Sequence, residues 1–152
     1  MSMTSGGVLE RHRRPMGMKQ APTPATVRAA AAKLAFGTPI VQNNLRAIVA
    51  EVITGYALGP DWHHCSADWS GWDFEHKLGA RLEVKQSAAR QTWKPPPVRH
   101  PPRFDISPRS GYWQDGSRWI ERAGRHAQIY VFCHHPVDDA AADHRDPLQW
   151  SF

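Results

Sequence analysis

The stretch Trp72–Trp93, WDFEHKLGARLEVKQSAARQTW, decides how this chain is read. In its middle, Arg81-Leu82-Glu83-Val84-Lys85-Gln86 alternates. Successive side chains of a strand point to opposite faces, so Leu82, Val84 and Gln86 share one face and Arg81, Glu83 and Lys85 the other. Glu83 and Lys85 then project together, ~7 Å apart along the backbone. Leu78-Gly79-Ala80 is a turn signal, because glycine adopts the backbone angles that tight turns require. The segment before it, roughly Trp69 to His76, therefore folds back as the first strand of a β-hairpin. Asp73 comes to lie close to Glu83 across that hairpin, and two carboxylates and an ammonium share one small site.

That grouping suits metal-dependent hydrolysis of a phosphodiester. Hard cations such as Mg²⁺ take oxygen ligands, usually one or two carboxylates with waters and substrate phosphate. A bound cation stabilises charge on the phosphate and lowers the pKa of a bound water. A neighbouring lysine orients the attacking water and stabilises developing negative charge. The plain alternative is a solvated edge strand, with Glu83 and Lys85 facing water and Asp73 capping a turn.

The pattern Asp73…Glu83-Val84-Lys85 resembles the PD-(D/E)XK nuclease superfamily. The wording WSGWDF…RLEVKQSAARQTW, RFDISP and QIYVFCHH is similar to an uncharacterised bacterial branch of it. The resemblance covers roughly residues 37–152, and Trp72 stands where a proline often precedes the aspartate. It implies an α/β (α+β) domain, with a restriction-endonuclease-like core of a central mixed β-sheet flanked by helices. By the same resemblance Asp73, Glu83 and the Val84 backbone carbonyl bind Mg²⁺, for which Mn²⁺ can substitute. Lys85 polarises the nucleophilic water, and Glu51 is the positional match for an extra helical acid. The implied activity is a magnesium-dependent endonuclease, with DNA as the expected polymer. A non-catalytic nucleic-acid-binding or scaffold module of the same fold is the alternative. A homodimer would allow both strands of a duplex to be cut.

At 152 residues the chain has the size of one domain. Residues 1–22 lack periodicity and read as a disordered basic arm, leaving 23–152 as the folded unit. The formal charge is +5, and it is unevenly spread. Residues 85–125 hold nine basic residues against three acids, whereas residues 137–152 hold one against four. Positive charge thus follows directly after the candidate site, as a polyanionic partner would favour. Gln86, Arg90, Gln91, Lys94, Arg99 and Arg103 are the candidate nucleic-acid contacts in this region. Tyr112, Trp113 and Trp119 add surfaces on which bases could stack, or else close the core. Two cysteines make no disulfide framework. No run is apolar and long enough to span a membrane, and no signal-peptide core is visible. A reducing cytoplasmic setting is the expectation.

Two helices precede the hairpin. TPATVRAAAAKLAF is alanine-rich and reads as helix to Phe36, with Gly37 as its stop. In the second, Thr38 is an N-cap and Pro39 the first helical residue. Val41, Leu45, Ile48, Val49, Val52 and Tyr56 form its apolar face, with Glu51 on the flank. A short strand is expected within Asp61–Trp69. His63-His64-Cys65 and Cys133-His134-His135 are zinc-ligand types that could meet if their strands were neighbours, but adjacent strand residues point to opposite faces. Trp93 is read as core. After the proline-rich 94–102, Arg103–Ser107 is expected as a short strand and Pro108–Gly116 as a loop. Trp119–Arg125 is a short helix or an approach to a strand. Ala127–Cys133 is a continuous apolar run fit for a central buried strand. Leu148–Phe152 alternates as a strand start.

Overall fold

The computed structural model describes residues 21–65, 70–93, 101–114 and 116–152. Most of the expected N-terminal arm, together with Lys94 and Arg99, lies outside the described residues. The fold is α+β. Strands β1 (Trp62–His64), β2 (Phe74–His76), β3 (Arg81–Ala88) and β6 (Ile129–His135) form one mixed sheet in the order β1-β2-β3-β6. The first three are antiparallel neighbours, and β6 runs parallel to β3 from Leu82↔Ile129 to Ala88↔His135.

The hairpin forms as the sequence suggests. Phe74 pairs with Leu82 and Glu75 with Arg81. Gly79 closes the turn at φ 85°, a left-handed angle that side chains resist, and donates to the His76 carbonyl at 2.7 Å. Strand β2 is shorter than expected, with Asp73 just before its first residue.

A parallel pair cannot be joined by a tight turn and needs a long crossover. Here that connection carries a second hairpin, β4 (Arg109–Gln114) with β5 (Arg118–Gly124), paired as a two-stranded ribbon. This corrects the expectation of a loop over Pro108–Gly116 and resolves Trp119–Arg125 as strand. Arg103–Ser107 is not a strand.

An aromatic seam fastens the ribbon to the sheet. Arg81 lies 3.7 Å over Trp72, Trp72 meets Tyr112 at 5.2 Å, and Tyr112 meets His126 at 4.7 Å. Gly71 sits under this seam, where an added Cβ would lie 3.0 Å from His126 and 3.1 Å from Tyr112.

Helix α1 (Pro24–Phe36) is capped by Thr23 and stopped at Gly37, as expected, but buries none of its residues. Among the described elements, helix α2 (Asn43–Leu58) is the one that covers the sheet, packing on β3 and β1. It starts later than expected. Thr38 and Pro39 precede it, and its N-cap is Gln42, which makes no capping bond through its side chain. Its inward face is only partly the expected one: Val49 packs on the core and Val41, just before the helix, is buried. Arg46, Ala50 and Thr54 are buried, whereas Ile48, Val52 and Tyr56 are exposed. Small side chains let the helix approach closely: a Cβ on Gly55 would sit 3.3 Å from the Phe74 ring. The expected branched stripe would hold it off.

The core joins Ala50, Cys133 and Trp150 with Val49, Ile53, Val84 and Val131. Strand β6 is not central. It forms the sheet's outer edge, met beyond β3 by one antiparallel bridge from His134 to Ser151. The terminal segment is a 3-10 turn, Pro147–Gln149, followed by that bridge. Trp93 is 60% exposed rather than core. No helix among the described residues is long and apolar enough to cross a membrane.

Candidate active site

Alternation along β3 divides its side chains as the sequence implies. Leu82 is buried and Val84 packs on the core beneath α2. Glu83 and Lys85 belong to the opposite face, where their β6 partners are Tyr130 and Phe132. The Lys85 ammonium contacts the Glu83 carboxylate directly. Tyr130 stands opposite Glu83 in the β3–β6 register, and burial, followed by that carboxylate's charge, raises the Tyr130 pKa.

Asp73 sits where the β2–β3 ladder ends. Its backbone N–H donates to the Leu82 carbonyl at 2.9 Å, and its Oδ2 accepts the Val84 N–H at 2.7 Å. The side-chain oxygen takes a bond that a neighbouring strand's carbonyl would otherwise accept, which keeps the carboxylate fixed at the margin of the sheet. Its pKa is pushed up to about 6. Burial is the main cause; the negative charges of Glu51 and Glu83 add to it, against the lowering effects of the Val84 bond and Lys85. Glu51 reaches this neighbourhood from α2, and its Oε2 lies 2.8 Å from His64 Nε2. Glu51 from the helix and Glu83 and Lys85 from β3 thus all act electrostatically on Asp73.

Glu83 and Lys85 lie in a cleft of about 340 Å³. Its opposite side is built by the ribbon and its flanks, including Asp105, Arg109, Gly111, Trp119 and Arg125. His126 also lines it; its Nε2 is buried without a hydrogen-bond partner, and burial lowers its pKa. Sequence reasoning missed Tyr130 and His126 as site neighbours. Their places depend on the β3–β6 register and on the aromatic seam, neither of which has a local signal.

The candidate nucleic-acid contacts are scattered. Gln86 and Gln91 are turned to Arg46, which is 1% exposed. Arg46 donates to Gln86 Oε1 at 2.7 Å, Gln91 Oε1 at 3.0 Å and Asn43 Oδ1 at 2.7 Å. Those amides are committed within the fold, on the helix side of β3. Arg90 donates to the Asp139 carbonyl. Arg103 is exposed, with its backbone N–H 3.4 Å from Ser87 Oγ.

The donors here are of the type that a hard divalent cation takes. Asp73 and Glu83 are oxygen donors, Glu51 adds a third carboxylate, and their mutual repulsion is what a dication would relieve. The present side-chain arrangement is not a ready cage. Among the described residues, no three His, Cys, Asp or Glu side chains converge on one metal position. Val84 meets Asp73 through its N–H. The zinc idea is overturned. Strands β1 and β6 occupy opposite edges of the sheet, ~14 Å apart at three strand spacings. Cys133 is buried beside Thr54, and both Cys65 and Cys133 are free thiols.

Comparison of the chain with protein-family models, with curated proteins and with solved structures gives no match.

Proposed function

We propose that this chain is a metal-dependent nuclease of restriction-endonuclease-like architecture, hydrolysing phosphodiester bonds of DNA. The observation that carries the reading is the state of Asp73. A half-buried carboxylate feels the charge of two further acids, Glu51 and Glu83, with Lys85 paired to Glu83. Such an arrangement costs stability without a cation, and a strongly perturbed carboxylate next to a cleft points to function. Asp73 and Glu83 would hold Mg²⁺, with Glu51 at the margin. The cation would supply Lewis-acid stabilisation of the phosphate and a more acidic water. Lys85 would leave Glu83 to position that water and to neutralise charge on the phosphate. Tyr130, the β6 neighbour of Glu83, would flank it at the cleft.

The test is cleavage of plasmid, linear duplex, single-stranded and branched DNA with Mg²⁺ or Mn²⁺ against EDTA. Lys85→Ala is expected to lower cleavage at least ~100-fold while leaving the fold intact, since Lys85 lies at the cleft surface. Equal cutting by wild type and Lys85→Ala would sink the assignment. One observation favours the second reading, a binding module without chemistry: Lys85 and Glu83 are closed on each other. Metal-independent DNA binding with no cutting of any substrate would select it.

A further inference from the structure

The ribbon β4–β5 has no part in the proposed chemistry, yet it walls the cleft that contains it. Trp113 and Trp119 pair across its two strands, with rings 5.7 Å apart in an edge contact. Both are solvent-exposed, at 37% and 45%. Paired across the ribbon, they form one exposed aromatic patch, which is more informative than an isolated exposed ring. Trp119 also lines the cleft shared by Glu83 and Lys85.

Its position is built into the strand beneath it. Gly111 lies so close that an added Cβ would sit 2.5 Å from the Trp119 ring and 2.3 Å from the Ile120 carbonyl oxygen. A glycine at that point lets the ring lie on the backbone. Arg109 and Arg125 line the same space. The Arg125 Nε donates to the Ile106 carbonyl at 2.7 Å, which anchors the side chain at the cleft. Cations beside exposed aromatic faces match a phosphate chain whose bases are free to stack.

The size of the cleft sets the other condition. About 340 Å³ between sheet and ribbon admits a slender, flexible chain. A duplex is a stiff rod with stacked, enclosed bases, so it presents only its backbone to a cleft of that volume and offers no free base to the indoles. We propose that the ribbon is a stacking platform and that the cleft takes a single unpaired strand of nucleic acid in preference to duplex. This rests on the nuclease reading for the identity of the polymer, while the binding it describes needs no metal.

Binding is therefore measured in EDTA. The probes are a labelled single-stranded DNA of mixed sequence and the same strand annealed to its complement, followed by fluorescence anisotropy at about 0.1 M salt. Wild type is expected to bind the single strand at least ~10-fold more tightly than the duplex. Trp119→Ala is expected to weaken the single strand by about 5- to 150-fold, the effect of losing one stacked base, and to leave duplex binding unchanged. Trp119→Phe, which keeps an aromatic face, should restore most of it. Gly111→Ala should mimic Trp119→Ala by displacing the ring. Circular dichroism confirms that each variant is folded. Duplex bound as tightly as single strand, no binding of either, or unaltered single-strand binding by folded Trp119→Ala would each overturn the proposal. Metal-dependent cutting of duplex that disappears in Lys85→Ala would keep the nuclease reading while removing this one.

Discussion

On the helix side of β3, Arg46 is buried with its charge surrounded by three neutral side-chain oxygens. At the margin of the same strand, Asp73 is half-buried, with one backbone donor and the charges of two acids acting on it. Both charges suffer from burial. Desolvation brings the Arg46 pKa down to about 10, and it brings that of Asp73 up to about 6. Only the arginine has a full set of partners. The first arrangement holds a helix on a sheet; the second leaves a desolvated carboxylate near two other acids, next to the cleft. Charge satisfaction, more than burial, separates the structural polar site from the candidate functional one.

The largest effect on stability is expected at Arg46. Arg46→Met removes the donor to Asn43, Gln86 and Gln91 together and leaves the Gln86 and Gln91 oxygens without it beneath the helix, while Asn43 Oδ1 keeps the Gln86 Nε2 bond. A loss of about 2–4 kcal/mol in urea unfolding is expected. A gain in stability would break the comparison, because it would mean that the cation was never properly satisfied.

Asp73→Asn should act in the opposite direction. A carboxyl whose folded pKa lies above its unfolded value favours the native state below the unfolded pKa, and that advantage is lost as pH rises through the folded one. The window runs from 3.8 to about 6. Above it, ionised Asp73 costs up to ~3 kcal/mol, whereas the neutral amide of the variant would keep an acceptor for the Val84 N–H. A stabilisation of about 1–3 kcal/mol at pH 8, shrinking towards pH 4, is expected.

The same variant sharpens a second contrast. His144 is fully buried, its Nδ1 accepts the Val41 N–H at 3.0 Å, and its ring meets His135 edge-on. Burial, with the charge of Arg46, lowers its pKa from 6.5 to about 4. A base with a lowered folded pKa makes the native state less stable as pH falls through that window. The contribution is of order 3 kcal/mol. In the wild type Asp73 runs against this, while the lowered pKa values of His126, His134 and His135 act with His144, so stability between pH 6 and 4 should fall less steeply than in the variant. In Asp73→Asn it should fall clearly with acid. Equally steep profiles in the two proteins would show that these groups do not govern that range.

The smallest effect concerns the cleft. If Lys85, Arg109 and Arg125 meet three phosphates of a single strand, the logarithm of affinity should fall with the logarithm of salt with slope about −2. Arg125→Ala should make that slope shallower by about 0.7. An unchanged slope would remove Arg125 from the contact surface.

Much of the site was legible because it is local. The strand's two-residue period put Glu83 and Lys85 on one face, and Gly79 supplied the turn that brought Asp73 back towards Glu83. The face of α2 was not legible. Its helical period leaves both the Ile48-Val52-Tyr56 line and the Arg46-Ala50-Thr54 line available. The second won through its small residues and through Gln86 and Gln91, which lie 40 and 45 residues further on from Arg46. The ribbon was hidden for a related reason. Gly111, Tyr112 and Trp119 look like loop residues until the seam to Trp72 and His126 gives them something to pack on.

By itself, then, the sequence determined the hairpin, the first helix and the shared face of Glu83 and Lys85. These need only steric and periodic rules acting over a few residues. Tertiary structure alone decided that β6 runs parallel beside β3 and brings Tyr130 to Glu83. It also turned a buried arginine into a helix anchor and placed a tryptophan ribbon over the cleft. Each depends on contacts between distant segments, whose free energy is the difference between burying one surface and burying another, and no local pattern carries that difference.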